Sequence, residues 1–178
     1  MPAGGFLKRF ASELFPGLGA AGGYGLTISS DTPGIRGRWV TYNLDSTVGT
    51  SPSQAVAVDG SLIGAGKRLG HDLLFGYLPS GDGLTSAPVV VNLGDEPTRV
   101  DFYIFDQAGN LLDSVAVRNL APRQPYARVI SDLVPAGSGD VQVVASALNG
   151  RLAGAAFVFN EDGEPAICNV DVIDFHQP

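Results

Sequence analysis

The stretch Val100-Asp101-Phe102-Tyr103-Ile104-Phe105-Asp106-Gln107-Ala108-Gly109-Asn110 decides the fold class. Its apolar residues Val100, Phe102 and Ile104 recur at every second position, which is the period of a β-strand with one face toward a core. Gly109 and Asn110 then tolerate the backbone angles of a tight hairpin turn. The stretch therefore predicts an antiparallel sheet, because so short a connection joins antiparallel neighbours.

The same pattern recurs along the chain. Only Phe6–Phe15 has apolar residues at helical spacing, and Pro16 ends that run. We expect this short helix to pack over the end of a sheet. Everything else predicts an all-β antiparallel β-sandwich, with strands at Tyr24–Ser30, Ile35–Leu44, Gln54–Asp59, Asp72–Leu78, Ala87–Leu93, Arg99–Asp106, Leu111–Asn119, Tyr126–Ile130, Val141–Ala147, Leu152–Asn160 and Ile167–Phe175.

Part of the sequence occurs twice. Ser12-Glu13-Leu14-Phe15-Pro16 returns as Ser131-Asp132-Leu133-Val134-Pro135, and the run Ile35–Asn43 returns as Leu152–Asn160. An internal duplication of a β-rich unit is typical of tandem modules or of one fold built from two similar halves. We therefore divide the chain into a partial β module with the helix (1–59), a Gly-rich linker (60–70) and a complete sandwich module (71–178).

Composition restricts the function classes. The 178 residues are 44% hydrophobic and carry a net charge of −7, with 24 glycines, 12 prolines and one cysteine. The charge disfavours nucleic acid as a partner, and the single cysteine allows no disulfide within the chain. No run approaches the roughly 20 apolar residues of a membrane span. Met1–Gly5 lacks the features of a signal peptide, so an export signal is expected to lie outside this chain.

Four segments carry a resemblance to a known class. Leu73–Pro79, Gly81–Thr85, Val89–Leu93 and Val100–Gly109 resemble the immunoglobulin-like or fibronectin-like β-sandwich repeats of bacterial secreted and cell-surface proteins. The resemblance covers about residues 72–175. It implies an extracellular, non-catalytic structural or adhesive module. Its expected partners are proteins, either neighbouring modules or a second copy of the chain, since an incomplete module leaves strand edges uncovered.

Two kinds of ligand site are alternatives to a purely structural role. Acidic turns suit calcium, which prefers oxygen ligands, although Asp and Glu are also common in ordinary turns. The candidate ligands are Asp95, Glu96, Glu161, Asp162 and Glu164. Trp39 and Tyr42 are candidates for stacking on a carbohydrate, against the alternative that they fill a core. No other cofactor is expected.

Catalysis is the third possibility, and the sequence disfavours it. The only histidines are His71 and His176, and Asp72 beside His71 points to the opposite side of a strand. Carboxylate chemistry would use a pair such as Asp101 and Asp113, whose other interpretation is two solvent-facing strand positions. We therefore predict that the chain is not an enzyme.

Overall fold

The computed structural model describes residues 5, 7, 9–17, 31, 37–40, 55–58, 70–135, 137–161, 165–168 and 170–175. This part of the chain is mostly β, with one short helix α1 (Ala11–Leu14) and one 3-10 helix η1 (Ile130–Asp132). The predicted strand Tyr24–Ser30 lies outside the described residues. The strands are β1 (Gly37–Val40), β2 (Ala55–Val58), β3 (Asp72–Leu78), β4 (Thr85–Asn92), β5 (Thr98–Phe105), β6 (Leu111–Leu120), β7 (Pro125–Ala127), β8 (Val141–Ala147), β9 (Leu152–Phe159), β10 (Pro165–Cys168) and β11 (Asp171–Ile173).

The strands form antiparallel sheets, as the sequence predicts. Strands β1 and β2 pair with each other. A four-stranded sheet has the order β10-β9-β4-β7, and a five-stranded sheet has the order β11-β3-β8-β5-β6. Every one of these pairs is antiparallel. The two larger sheets are consistent with a β-sandwich.

The apolar core of the described residues lies between the two larger sheets. Phe75 and Phe102 of the five-stranded sheet are fully buried in one cluster with Val90 and Ala156 of the four-stranded sheet. At Gly154 of β9, a Cβ atom would lie 2.9 Å from the Val89 carbonyl oxygen of the neighbouring strand β4 and 3.1 Å from Phe75 Cζ of the facing sheet. Real Cβ atoms do not come so close to backbone, so a larger residue would displace β4 or the Phe75 ring.

The chain crosses between the sheets at most of its connections. The hairpin predicted between β5 and β6 is confirmed, and Gly109 takes a φ of +85° there. The hairpin predicted at Asn149-Gly150 is wrong, because it joins β8 of one sheet to β9 of the other. Backbone hydrogen bonds from Gly70 and His71 hold the two strands on either side of this connection. The His71 carbonyl accepts a hydrogen bond from Ala147 N of β8, while Gly70 and Leu152 of β9 exchange backbone hydrogen bonds.

Two further predictions need correction. The predicted strand Ile167–Phe175 is two strands, β10 and β11, which belong to different sheets. The helix predicted over Phe6–Phe15 is observed only at Ala11–Leu14. Its apolar side chains do not pack over a sheet end: Leu7, Phe10, Leu14 and Phe15 are all exposed. A helix of one turn has few hydrogen bonds to offset the conformational entropy lost when its backbone is ordered, so it gains little stability without tertiary packing.

Candidate binding surface

The acidic turns proposed for calcium lie at two opposite ends of the four-stranded sheet. Strand β4 begins at Thr85, opposite Phe159, and ends at Asn92, opposite Leu152. Glu161 follows Phe159 at the first end, whereas Asp95 and Glu96 follow Asn92 at the other. An eight-residue strand spans about 27 Å. The structure therefore does not bring Asp95 and Glu161 together, while Asp162 and Glu164 lie outside the described residues.

Asp95 already has a structural partner. Arg123 Nη2 lies 3.3 Å from Asp95 Oδ1, and Arg123 Nη1 donates to the carbonyls of Leu93 and Gly94 at 2.8 and 2.9 Å. Beneath this turn, the fully buried Asn92 donates to the carbonyls of Glu96 and Leu120 and accepts from Gly94 N. These bonds fix the turn. Among the described residues, no three His, Cys, Asp or Glu side chains converge as a metal site.

The other end of the sandwich is uniformly acidic. Its described loops, residues 79–84, 106–110, 137–140 and 160–161, contain Asp82, Asp106, Asp140 and Glu161 but neither Lys nor Arg. Asp140 ties three of its segments together, because it accepts from Tyr77 Oη at 3.0 Å, from Ser80 N at 3.2 Å and from Gln107 Nε2 at 3.3 Å. We refer to this region as the acidic end.

The pKa of the Asp106 carboxyl, which lies at the acidic end, is lowered. The cause is hydrogen bonding to the charged form, chiefly from the Asn110 side chain at 2.8 Å and then from its backbone N–H, also at 2.8 Å. Ala108 N donates a further bond at 2.9 Å. These donors stabilise the β5–β6 turn, so Asp106 is already engaged within its own loop.

The aromatic and carboxylate candidates are not assembled into sites either. Trp39 lies in β1 opposite Val56, and the Trp39 side chain and Tyr42 lie outside what the structure describes. Asp113 lies opposite Ile104, whose side chain is buried between the sheets, whereas Asp101 alternates to the outer face. Asp101 is ion-paired with Arg99 at 2.7 Å. The carboxylate pair is therefore not formed.

Within the described part of the chain, the outer face of the four-stranded sheet has an apolar composition. On β4 the side chains of Ser86, Pro88, Val90 and Asn92 are buried, so the alternate positions point outward. Residues opposite each other on neighbouring strands share a face, which extends the assignment to β9 and β7. We call the resulting set the apolar face: Thr85, Ala87, Val89, Val91, Pro125, Ala127, Ala153, Ala155, Phe157 and Phe159.

The apolar face contains no ionisable side chain. All of its members on β4 and β9 are half-buried, and Thr85 is the only one with a polar side-chain atom. The rings of Phe157 and Phe159 stack with centroids 6.1 Å apart. The alanines along β9 leave a low surface beside them. Such a continuous apolar area on a sheet is typical of a protein interface rather than of a solvated face.

The outer face of the five-stranded sheet is different. It carries Asp72, Asp101 and Ser146, and its aromatic residues Tyr103 and Phe105 are covered by Phe175 from the C-terminal segment. Ring centroids lie 5.1 Å apart for Tyr103 and 6.2 Å apart for Phe105. Burial raises the pKa of Tyr103, and the nearby Asp101 carboxylate adds to the effect. This face is closed by the chain itself.

Sequence reasoning missed the apolar face, although a signal for it was present. Val89-Val90-Val91 and Ala153-Gly154-Ala155-Ala156-Phe157 are apolar at consecutive positions, which is the pattern of a strand covered on both sides. The alternation in β5, by contrast, places charged Asp101 on its outer side. Compared with the alternation of β5, the consecutive apolar residues of β4 and β9 indicate that these two strands have a second apolar side.

No described helix is long and apolar enough to cross a membrane. Comparison with protein-family models, with curated proteins and with solved structures finds no match.

Proposed function

We propose that this chain is a non-catalytic structural or adhesive β-sandwich module that binds a protein through the apolar face. The observation that carries the proposal is the absence of any charged side chain on that face, in a chain whose net charge is −7. A sheet face that met only water would alternate to polar residues. Burying Val89, Val91, Phe157 and Phe159 against a partner would remove apolar area from water, which is the main favourable term in association.

The immunoglobulin-like character of the module is part of this proposal. Two pairings support it: β4 pairs with β7 and β5 pairs with β8, as strands B with E and C with F do in an immunoglobulin sandwich. The flanking strands are exchanged relative to that order. Strand β9 occupies the place beside β4, and β3 occupies the place beside β8. The module would therefore be a variant of the immunoglobulin arrangement in which β3 and β9 have exchanged sheets relative to strands A and G.

The internal duplication also belongs to the proposal, and local geometry supports it. Glu13 N donates to the Phe10 carbonyl at 3.0 Å, and the equivalent Asp132 N donates to the Val129 carbonyl at 3.0 Å. In both copies a strand that contains the repeated Gly is paired antiparallel to the next strand, β1 with β2 and β9 with β10. We infer that residues 1–59 are a partial module of the same kind and that the whole belongs to a secreted or cell-surface protein.

Footprinting with hydroxyl radicals tests whether the apolar face is available to a partner. The full chain is labelled at a concentration where sedimentation shows a monomer. We expect Phe157 and Phe159 to be oxidised at rates between that of exposed Phe10 and that of the buried Phe75 and Phe102. These phenylalanines are matched internal controls because their intrinsic reactivity is the same. Protection of Phe157 and Phe159 equal to that of Phe75 would show that the fold itself covers the face, and would overturn the proposal.

A further inference from the structure

The apolar face has a charge arrangement around it that identifies an occupant. Strand β9 runs through the face from Ala153 to Phe159. It is preceded by Arg151 and followed by Glu161, both exposed. Arg151 lies two residues before Ala153, and Glu161 lies two residues after Phe159. By strand alternation, both positions are therefore on the same side of the sheet as the apolar face. One strand thus presents a positive end, an uncharged middle and a negative end.

We propose that the occupant of the apolar face is a second copy of this chain, packed face to face in the antiparallel direction. This inference rests on the proposed function. In a symmetric pair the same patch is used on both copies, and two facing sheets are related by an axis lying between them. If that axis runs across the strands, each β9 lies over β9 of the second copy in the reverse direction. Arg151 then lies near Glu161 of the second copy, and this contact occurs twice.

The other symmetric arrangement is unfavourable. An axis parallel to the strands would place Glu161 near Glu161 of the second copy and would bring the two acidic ends together. Like charges placed opposite each other disfavour an interface. At the opposite end of the sheet, Arg123 and Arg151 lie near Asp95 and Glu96, and Asp95 is paired with Arg123, so this end is less acidic than the end that contains Glu161. The charge distribution therefore selects the antiparallel pair.

The size of the face sets the strength of the association. The apolar face lies on β9, β4 and the short strand β7, an area about 27 Å long and about 14 Å wide, roughly 400 Å² for each copy. Two copies would bury about 800 Å², which is the size of a weak or transient interface. We therefore expect a reversible dimer. Because each chain carries a charge of −7, salt that screens the overall repulsion is expected to strengthen it.

Charge exchange along β9 tests this arrangement. The dissociation constant of the full chain is measured by sedimentation equilibrium for the wild type, Arg151→Glu, Glu161→Arg and the double variant. Each single change creates two repulsive contacts in the symmetric pair, so we expect dimerisation about three- to tenfold weaker at low salt. The double variant is expected to return to the wild-type value. Arg118→Glu and Asp113→Arg, at exposed positions of β6, are controls that alter net charge equally and are expected to leave dimerisation within about twofold.

Three results would overturn the inference. The first is a chain that remains monomeric at every concentration reached. The second is a pair of single variants that dimerise as the wild type does, which would indicate another orientation or another occupant. The third is a double variant no stronger than the singles. None of these results changes the footprinting of Phe157 and Phe159, so the proposed function stands or fails separately.

Discussion

The outer faces of the two larger sheets differ in how their apolar residues are covered. On the five-stranded sheet, Tyr103 and Phe105 are covered by Phe175 of the same chain, and charged residues surround them. On the four-stranded sheet, the apolar face has more apolar residues and no charged ones. The contrast shows that a sandwich folds around its inner core, whereas an outer face can be covered either by the same chain or by another molecule. One face is completed within the chain, and we infer that the other is completed by a partner.

The largest expected effect concerns the inner core, which both outer faces depend on. Leu133 is 6% exposed and belongs to the core cluster, whereas the equivalent Leu14 of the first copy is 46% exposed. We expect Leu133→Ala to lower the free energy of unfolding by about 2–5 kcal/mol. Leu14→Ala, the matched control, should change it by less than about 0.5 kcal/mol. Denaturant unfolding measures both, and equal losses would contradict the difference in packing.

Substitutions at two adjacent residues of β9 test the stability of the fold and the role of the apolar face separately. Gly154→Val would place side-chain atoms against the Val89 carbonyl and Phe75, so we expect a loss of about 1–3 kcal/mol in unfolding free energy. Ala155→Arg, on the apolar face, should leave stability within about 0.5 kcal/mol. Thermal unfolding of both variants checks this at concentrations where the chain is monomeric. Unfolding of the Ala155→Arg variant would mean that the apolar face is part of the core.

Removal of Phe175 would expose the aromatic residues of the five-stranded sheet. Because Phe175 is half-buried, we expect Phe175→Ala to cost about 1–2 kcal/mol of stability. Burial raises the pKa of Tyr103, so the variant should also shift that pKa back toward its ordinary value. An NMR titration of the tyrosine ring measures the shift. A Tyr103 pKa unchanged by the substitution would show that Phe175 does not cover this ring.

The smallest expected effect is at Asp106. Its pKa is lowered in the folded chain, so its contribution to stability is present above the pKa of the unfolded chain and is lost as the pH falls through the lower folded value. Asn110→Ala removes the main donor, so we expect the Asp106 pKa to rise toward its ordinary value. Carboxyl-detected NMR titration checks this. A fall in the Asp106 pKa in that variant would contradict the assigned cause.

Alternation predicted individual strands well because it reflects burial of one side. The bounds of β3 and β8 were predicted as observed, β9 differs from prediction by one residue at its C-terminal end, and β5 differs by one residue at both ends. Alternation says nothing about which sheet a strand joins. Alternation therefore predicts a hairpin at the Asn149-Gly150 connection and one continuous strand where the structure has β10 and β11. The partner of a strand depends on contacts distant in sequence, such as Gly70 with Leu152.

The candidate sites were predicted less well than the strands. The preference of calcium for carboxylates points to Asp95 and Glu161, but turns use the same residues for backbone reasons and the two lie at opposite ends of the sheet. The apolar face could have been predicted, since consecutive valines and alanines mark strands with two apolar sides. The charge arrangement around β9 could not, because it requires knowing that Ala153, Ala155, Phe157 and Phe159 are the residues of β9 that face away from the core.

Whether two copies dimerise through the apolar face is tested by comparing the dimerisation of Ala155→Arg with that of Ala116→Arg, measured by sedimentation equilibrium of the full chain. Both variants add one arginine in place of an alanine, on the apolar face and on the outer side of β6 respectively. We predict that the wild type and Ala116→Arg form a reversible dimer and that Ala155→Arg is at least about tenfold weaker, because two arginines would be buried at the interface. Equal dimerisation of the two variants would show that the apolar face is not the dimer interface.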